Sequence, residues 1–194
     1  RGLGDVYKRQ PPGCGKTHLA YHLPRLLPPL SRSEALTITR IQSVAGLLRN
    51  PGTLPRTRPF RAPHHSCTAA ALLGGGISPQ PGELSLAHGG VLFLDELAEF
   101  SRAVLDQLRQ PLEEGVLRLS RSRLKTTFPA AITLVAATNP CPCGWHGDRE
   151  HGCRCSLSQR QRYWQRLSGP LLDRLDLQLR LEPVSYTHLT LPTK

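Results

Sequence analysis

Short runs of consecutive apolar residues predict strands that are buried on both faces. Val91 to Leu94 is one such run, and Ile132 to Ala136 is another. Strands of this kind belong to parallel sheets whose two faces are covered by helices. Apolar and polar residues alternate from Leu177 to Leu181, which is typical of a further strand. The pattern therefore predicts an α/β fold with a parallel sheet flanked by helices.

Apolar positions three and four residues apart predict a helix after the first apolar strand. The positions on its apolar face are Phe100, Val104, Leu105, Leu108 and Leu112. Ser101 can cap the start of this helix, and Gly115 can end it. The segment from Lys16 to Leu27 predicts a second helix, which Pro28 and Pro29 close.

Between these elements, the sequence indicates a connection, a flexible insertion and a hairpin. The stretch from Asn50 to Pro63 is rich in proline and arginine, and Gly74 to Gly76 with Pro79 to Gly82 marks a flexible insertion. Basic and other residues alternate from Leu117 to Lys125, as they do in the arm of a β-hairpin. The segment from Leu117 to Lys125 is therefore predicted to form a β-hairpin.

A phosphate loop precedes the first predicted helix. Pro11-Pro12-Gly13-Cys14-Gly15-Lys16-Thr17 matches this motif except at its first glycine, where the chain has Gln10. Glycines allow backbone N–H groups to surround phosphate oxygens, and the N-terminus of a helix adds positive potential. Lys16 is suited to reach the terminal phosphates of a nucleotide, and Thr17 to ligate magnesium. We expect ATP to contact Pro12, Gly13, Cys14, Gly15, Lys16 and Thr17; a glycine-rich turn with an incidental lysine is the alternative.

Two carboxylates follow the apolar strand. Asp95 comes directly after Leu94, so it is expected at the carboxyl edge of the sheet, near a magnesium ion held by Thr17. Glu96 is then placed to polarise an attacking water molecule. Phosphoryl transfer needs a metal carboxylate, a water-orienting group and cations near the γ-phosphate. The alternative is a solvated acidic pair at the end of a strand.

Two further residues are candidates for catalysis, each with a structural alternative. Asn139 follows the second apolar strand and could hold the lytic water; it could equally favour the turn before Pro140. Arg174 could reach the γ-phosphate of a neighbouring subunit as an arginine finger. It could equally pair locally with Asp173 or Asp176.

Four of the six cysteines crowd into one segment. Cys141, Cys143, Cys153 and Cys155 form two C-x-C pairs, with His146 and His151 between them. Such thiolates could close a tetrahedral zinc site, although C-x-x-C is the more usual spacing. Reduced structural cysteines are the alternative. For His64-His65 we favour a structural turn over a metal site.

The positive net charge of the chain indicates a polyanionic partner. The 25 basic and 14 acidic residues give a formal net charge of +11, which favours a polyanion such as DNA. The hairpin places Arg118, Arg121, Arg123 and Lys125 where they could contact phosphates, although a solvated hairpin edge has the same charges.

No apolar run is long enough to span a bilayer, and no signal peptide is evident. We expect a cytoplasmic protein.

Several longer segments resemble one family. They are Phe60 to His65, Gly74 to Gly76, Pro81 to His88, Val91 to Glu96, Asn139 to Gly144 and Ser168 to Arg174. Together they resemble the magnesium-chelatase-like AAA+ ATPases, and within them the ComM (YifB) type. The resemblance covers Pro11 to about Val184.

This resemblance implies a P-loop AAA+ core with inserted β-hairpins that assembles into a ring, which we expect to be a hexamer. It implies that Lys16, Thr17, Asp95, Glu96 and Asn139 act within one subunit and that Arg174 acts on the next one. Members of this type are associated with DNA handling, including branch migration during natural transformation. The departures are Gln10, the lack of a strand before the phosphate loop, and the lack of a helical lid after Val184.

The two ends of the chain do not fit this pattern. Residues 1–10 and 185–194 lack the periodicity of the segments beside them, and the chain contains no methionine. We therefore expect foreign sequence at both ends of a fragment of the ATPase core, residues 11–184.

Three functions remain open at this point. The first is an ATP-driven motor that acts on DNA. The second is the ATPase subunit of a magnesium chelatase, against which the cysteine cluster and the basic hairpin speak. The third is a nucleotide-binding assembly module without turnover, which Gln10 and the missing lid favour.

Overall fold

The computed structural model describes residues 6–9, 16–48, 52–76, 78–121, 124–148, 151–167 and 169–180. The strands are β1 (Val6–Arg9), β2 (Phe60–Arg61), β3 (Gly74–Gly75), β4 (Gln80–Pro81), β5 (Val91–Leu94), β6 (Val116–Arg121), β7 (Leu124–Pro129), β8 (Thr133–Thr138) and β9 (Leu177–Arg180). The α-helices are α1 (Lys16–His22), α2 (Arg32–Val44), α3 (Ala69–Leu73), α4 (Glu83–Leu86), α5 (Arg102–Gln107), α6 (Arg109–Glu114), α7 (Leu157–Gln165) and α8 (Gly169–Leu172). Short 3-10 turns follow α1 and β5.

A five-stranded parallel sheet forms the centre of the fold, in the order β2-β5-β8-β1-β9. The expected α/β fold with a parallel sheet and flanking helices is confirmed. The antiparallel pairs β3-β4 and β6-β7 form the inserted hairpins. Because the strands of the sheet are parallel, the ends of β5, β8 and β1 meet at one edge.

One expectation about the sheet was wrong. The sequence predicted no strand before the phosphate loop, yet β1 lies between β8 and β9 and pairs with both along its whole length. Its residues, Val6-Tyr7-Lys8-Arg9, lack the apolar run on which the prediction rested. Backbone hydrogen bonds to both neighbours place a strand there without an apolar side-chain pattern. The foreign origin of residues 1–10 and 185–194 stays a prediction.

The apolar run of β5 is explained by burial on both faces. Leu92 and Leu94 pack into one cluster with residues of α3 to α8, whereas Val91 and Phe93 face the other side. The partners on that second side are Ala20, Val135 and Ala137. All four β5 side chains are at most 1% exposed, so the strand cannot shift by one residue without burying Asp95.

The predicted helix after β5 is interrupted. Ser101 caps its start through the N–H of Val104, and Gly115 ends it with φ 65°, as expected. Between them, α5 ends and α6 begins on either side of Leu108. Pro111 explains the break, because it has no N–H to donate to the carbonyl four residues earlier.

The other element boundaries differ by a few residues. The first helix ends at His22 and continues as a 3-10 turn, Leu23–Arg25, so it is shorter than predicted. The strand predicted at Ile132 to Ala136 lies at Thr133–Thr138. The insertion around Gly74 is an ordered hairpin, because Gly74 and Gly75 pair with Pro81 and Gln80.

Two partly buried arginines attach β2 to its surroundings. Arg58 donates to Glu34 across 3.1 Å and to the Gly89 carbonyl across 2.5 Å. Arg61 binds the carboxylate of Glu83 through two hydrogen bonds of 2.5 and 2.6 Å, and this pairing raises the pKa of Arg61. Two of the segments that carry the family resemblance therefore meet through an ion pair.

Among the described residues, no helix is both long and apolar enough to cross a bilayer.

Candidate nucleotide-binding site

The start of α1 and the carboxyl ends of β5 and β8 converge on one edge of the sheet. Lys16 and Thr17 are the first two residues of α1, so they lie at the positive end of its dipole. The remaining predicted phosphate-loop residues, Gln10 to Gly15, lie outside the described part of the chain.

Lys16 and Asn139 are brought together over 123 positions in sequence. The Nζ of Lys16 donates a hydrogen bond to the Oδ1 of Asn139 across 2.7 Å. Asn139 follows directly after β8, and Lys16 lies at the start of α1. Two predicted site residues are therefore adjacent in the structure.

Thr17 and Asp95 form the second contact between the two elements. The Oγ1 of Thr17 donates to the Oδ2 of Asp95 across 2.9 Å. The other oxygen of this carboxylate, Oδ1, accepts from the backbone N–H of Glu96 across 2.9 Å. Asp95 is thereby held with one oxygen toward α1.

Glu96 has an unusual backbone. Its φ of 53° and ψ of 47° place it in the left-handed region, the only residue other than glycine with positive φ in the described chain. Such a conformation costs about 1 kcal/mol or more and is found preferentially at functional sites. It ends β5 abruptly and leaves the Glu96 side chain 50% exposed.

His65, which the sequence assigned only to a turn, contacts one of the candidate site residues. Its Nδ1 lies 3.0 Å from Oε2 of Glu96. Its ring packs on His64 at 4.0 Å between centroids, and His64 in turn contacts the Ser66 hydroxyl. The signal was the position of His65 shortly after β2, because β2 neighbours β5 in the sheet.

A layer of aromatic residues supports the end of β8. The hydroxyl of Tyr163 lies 3.1 Å from Oγ1 of the fully buried Thr138. The indole N–H of Trp164 donates to the Pro140 carbonyl across 3.2 Å. Burial raises the pKa of Tyr163, so it stays a neutral hydrogen-bonding group. Helix α7 thus holds the residues on both sides of Asn139.

Arg174 pairs with a residue that the sequence analysis did not name. Its guanidinium forms an ion pair with the carboxylate of Glu113 in α6. The Nε atom of Arg174 is buried and has no hydrogen-bond partner among the described residues. Within one chain, Arg174 is thus tied to α6.

The four clustered cysteines meet at one point. The ligand atoms of Cys141, Cys143, Cys153 and Cys155 all lie within 4.8 Å of one another. Backbone hydrogen bonds, chiefly from Trp145, lower the pKa of Cys143 to about 6. Burial raises the pKa of Cys141 to about 12. The two neighbouring histidines are engaged elsewhere, His146 with Arg160 and His151 with Asp148.

The basic hairpin is present, and its cations differ in their surroundings. Arg118 on β6 forms an ion pair with Glu114, whereas Lys125 on β7 is exposed. The side chain of Arg121 is not among those described, and Arg123 lies outside the described residues. The hairpin is attached to the core through the buried Leu117 and Phe128.

Comparison with known proteins gives consistent matches over most of the chain. The sequence profile of the family described as "Magnesium chelatase, subunit ChlI" matches residues 3–189. The protein YifB of Escherichia coli is 53% identical over 171 residues, and YifB of Salmonella typhimurium is 52% identical over 174 residues. The competence protein ComM of Haemophilus influenzae is 53% identical over 173 residues.

Each of these three matches covers 88% of this chain but only 33% of the relative. The chain thus spans about a third of the length of the curated relatives that it matches. The family profile nevertheless covers both sides of the candidate site, from β1 to β9. The chain belongs to the magnesium chelatase ChlI family of AAA+ ATPases.

Proposed function

We propose that the chain binds and hydrolyses ATP at the edge of the sheet where α1, β5 and β8 meet. The observation that carries this proposal is the pair of contacts Lys16–Asn139 and Thr17–Asp95. A cation, a hydroxyl, a carboxylate and an amide thereby meet in two contacts at the start of α1, and the N-terminus of a helix is where phosphate groups bind.

The residues fit a magnesium ion. Neighbouring ligands of an octahedral ion with metal–oxygen distances of about 2.1 Å are about 3.0 Å apart. The oxygens of Thr17 and Asp95 lie 2.9 Å apart, which agrees with this spacing. Both are the hard oxygen donors that magnesium prefers. When bound, the ion would neutralise charge on the β- and γ-phosphates.

Glu96 is the residue that we assign to the attacking water. Its carboxylate lies beside the proposed metal residue Asp95 and is half exposed, so water reaches it. Lys16 would turn from Asn139 toward the terminal phosphates when a nucleotide binds. Asn139 would then be free to hold the lytic water from the opposite side.

We further propose that the site is completed by a neighbouring copy in a homo-oligomeric ring, which we expect to be hexameric. Arg174 supplies the arginine finger, because its side chain is 36% exposed and its ion pair among the described residues is with the single carboxylate of Glu113. A cation aimed at the γ-phosphate of the next subunit stabilises charge in the transition state.

DNA is the polymer on which we propose that this ATPase acts, in the manner of a branch-migrating motor in recombination or natural transformation. The net charge of +11 and the β6–β7 hairpin support it. The name of the Haemophilus relative, a competence protein, points in the same direction. Arg118, Arg121, Arg123 and Lys125 are the proposed phosphate contacts.

The family description favours a second candidate function. In this alternative the chain is the ATPase subunit of a magnesium chelatase, and partner subunits carry the other steps. It uses the same ATP site but does not need the basic hairpin. An absence of any DNA effect on turnover would favour it.

Substitution of Glu96 tests the proposed site. In the full-length protein that carries this sequence, Glu96→Gln should keep ATP binding and lower kcat by about 10²- to 10⁴-fold. The matched control is Glu99→Gln, because Glu99 lies three residues later and pairs with Arg166 at the surface. Unchanged turnover in Glu96→Gln would contradict the assignment. A wild-type protein that does not hydrolyse ATP would instead favour the third function, a nucleotide-binding assembly module.

A further inference from the structure

The long connection between β8 and α7 is held together by its cysteines. It begins with Asn139 and ends at Ser156, the N-cap of α7, without a regular element between them in the described residues. Connections of this length are uncommon in compact domains unless they are functional or braced. Its buried apolar anchors are few, since Cys141 is the one fully buried hydrophobic side chain described between those two residues.

The sulfur positions match a mononuclear metal centre. Four sulfurs at about 2.3 Å from one zinc ion lie about 3.8 Å from each other at the corners of a tetrahedron. The observed separations are 3.3 Å for Cys141–Cys143 and 3.7 Å for both Cys141–Cys153 and Cys143–Cys153. A disulfide would place two sulfurs about 2.05 Å apart. The four cysteines of the cluster are not in disulfides, and neither is Cys67.

Backbone groups around the sulfurs are arranged as they are around metal-bound thiolates. The N–H groups of Trp145 and Arg154 bond to the sulfur of Cys143, and the N–H of His146 bonds to that of Cys141. Gly144, with φ 83°, allows the turn that directs these groups inward. Such hydrogen bonds orient and stabilise metal-bound sulfurs.

The cluster also joins the two ends of the connection that lies next to the candidate nucleotide site. Cys141 lies two residues after Asn139, and Cys155 directly precedes the N-cap of α7. Helix α7 returns to the end of β8 through Tyr163 and Trp164. A link among the four sulfurs would therefore fix both ends of the connection that carries Asn139.

We propose that Cys141, Cys143, Cys153 and Cys155 bind one zinc ion that fixes the connection between β8 and α7. Zinc fits because a tetrahedral site of four thiolates is a usual structural zinc site. A cluster of two or four irons fits less well, because metals and bridging sulfides between the cysteines would spread the sulfurs farther apart. The proposal does not depend on the proposed ATPase activity, because it rests on the positions of the four sulfurs.

The first test is the metal content of the chain, purified without metal-affinity chromatography. We expect one zinc per chain in the wild type and in Cys67→Ser, and a loss of most of the zinc in Cys143→Ser and Cys153→Ser. Cys67 is the matched control, because it is a partly buried cysteine outside the cluster. Iron in place of zinc, or no metal with four freely reactive cluster thiols, would overturn the proposal.

The second test uses only the wild-type chain, so it does not require any variant to fold. Hydrogen exchange of the wild-type chain is measured before and after zinc is removed with a chelator. We expect faster exchange in residues 139–156 after removal, reversed by added zinc, while the β6–β7 hairpin is unchanged. Exchange in that connection that is indifferent to zinc would contradict the fixing role.

Discussion

The Nδ1 of His65 contacts the Oε2 of Glu96 across 3.0 Å. Two segments that are far apart in sequence meet here because β2 and β5 are neighbours in the sheet. The contact holds the carboxylate that we assign to the attacking water. We therefore treat His65 as a positioning residue for Glu96.

Removal of this contact should slow turnover rather than weaken ATP binding. We expect His65→Ala to lower kcat about 10-fold, which corresponds to about 1.4 kcal/mol in the barrier, with little change in KM. His65→Gln keeps a donor for Glu96 and should recover part of the rate. Steady-state kinetics of both variants would contradict the role if His65→Ala turned over like the wild type.

The proximity of the candidate site residues could be predicted from the sequence because these residues follow the ends of strands. Asp95, Glu96 and Asn139 each follow an apolar strand, and parallel strands bring such residues to one edge. Strand β1 was missed because its pairing rests on backbone hydrogen bonds and not on an apolar pattern. The partner of Arg174 was missed because Glu113 lies on a helix distant in sequence, and no local pattern relates them.

Arg174 offers a test of action between subunits. Arg174→Ala and Lys16→Ala should each abolish turnover alone, but their mixture should recover a measurable fraction. In mixed rings some interfaces combine an intact Lys16 with an intact Arg174 from the neighbour. Glu113→Gln, which removes only the partner of Arg174 within the chain, should retain turnover. Mixed assemblies without any recovery would contradict action in trans.

The pH dependence of stability should reveal the contribution of the Glu34 carboxylate at the start of helix α2. The hydrogen bond from the Ser31 backbone is the main cause that lowers the pKa of Glu34 to about 2. A carboxylate with a lowered pKa stabilises the fold fully above its unfolded pKa, near 4.5, and loses this contribution as the pH falls through about 2. Glu34→Gln should cost about 0.5 to 1 kcal/mol at pH 7.

Thermal unfolding of the wild type and Glu34→Gln, compared at pH 7 and near pH 2, checks this expectation. The difference in Tm between the two proteins should shrink at the lower pH. Glu83→Gln is a useful comparison, since Glu83 also binds an arginine but does not cap α2. A difference that stays constant across this range would contradict the assignment.

A close backbone approach at Gly90 sets the position of β5. A Cβ atom at Gly90 would lie 2.0 Å from the Pro59 carbonyl oxygen, which also accepts the hydrogen bond of Val91. Gly90→Ala should therefore push β5 away from β2 and destabilise the protein by about 1 to 3 kcal/mol. Gly169→Ala is the matched control, because nothing lies within 4 Å of its added methyl group.

Unfolding by denaturant measures both glycine variants. Gly90→Ala should lower the midpoint clearly, whereas Gly169→Ala should leave it nearly unchanged. Equal stability of the two variants would show that the β2–β5 junction adapts to a side chain.

The most direct test of the ATPase assignment is turnover in the full-length protein that carries this sequence, measured with and without branched DNA beside Lys16→Ala. The account predicts ATP hydrolysis that branched DNA stimulates and that Lys16→Ala abolishes. Hydrolysis that persists undiminished in Lys16→Ala, or its absence from the wild type under both conditions, would contradict it.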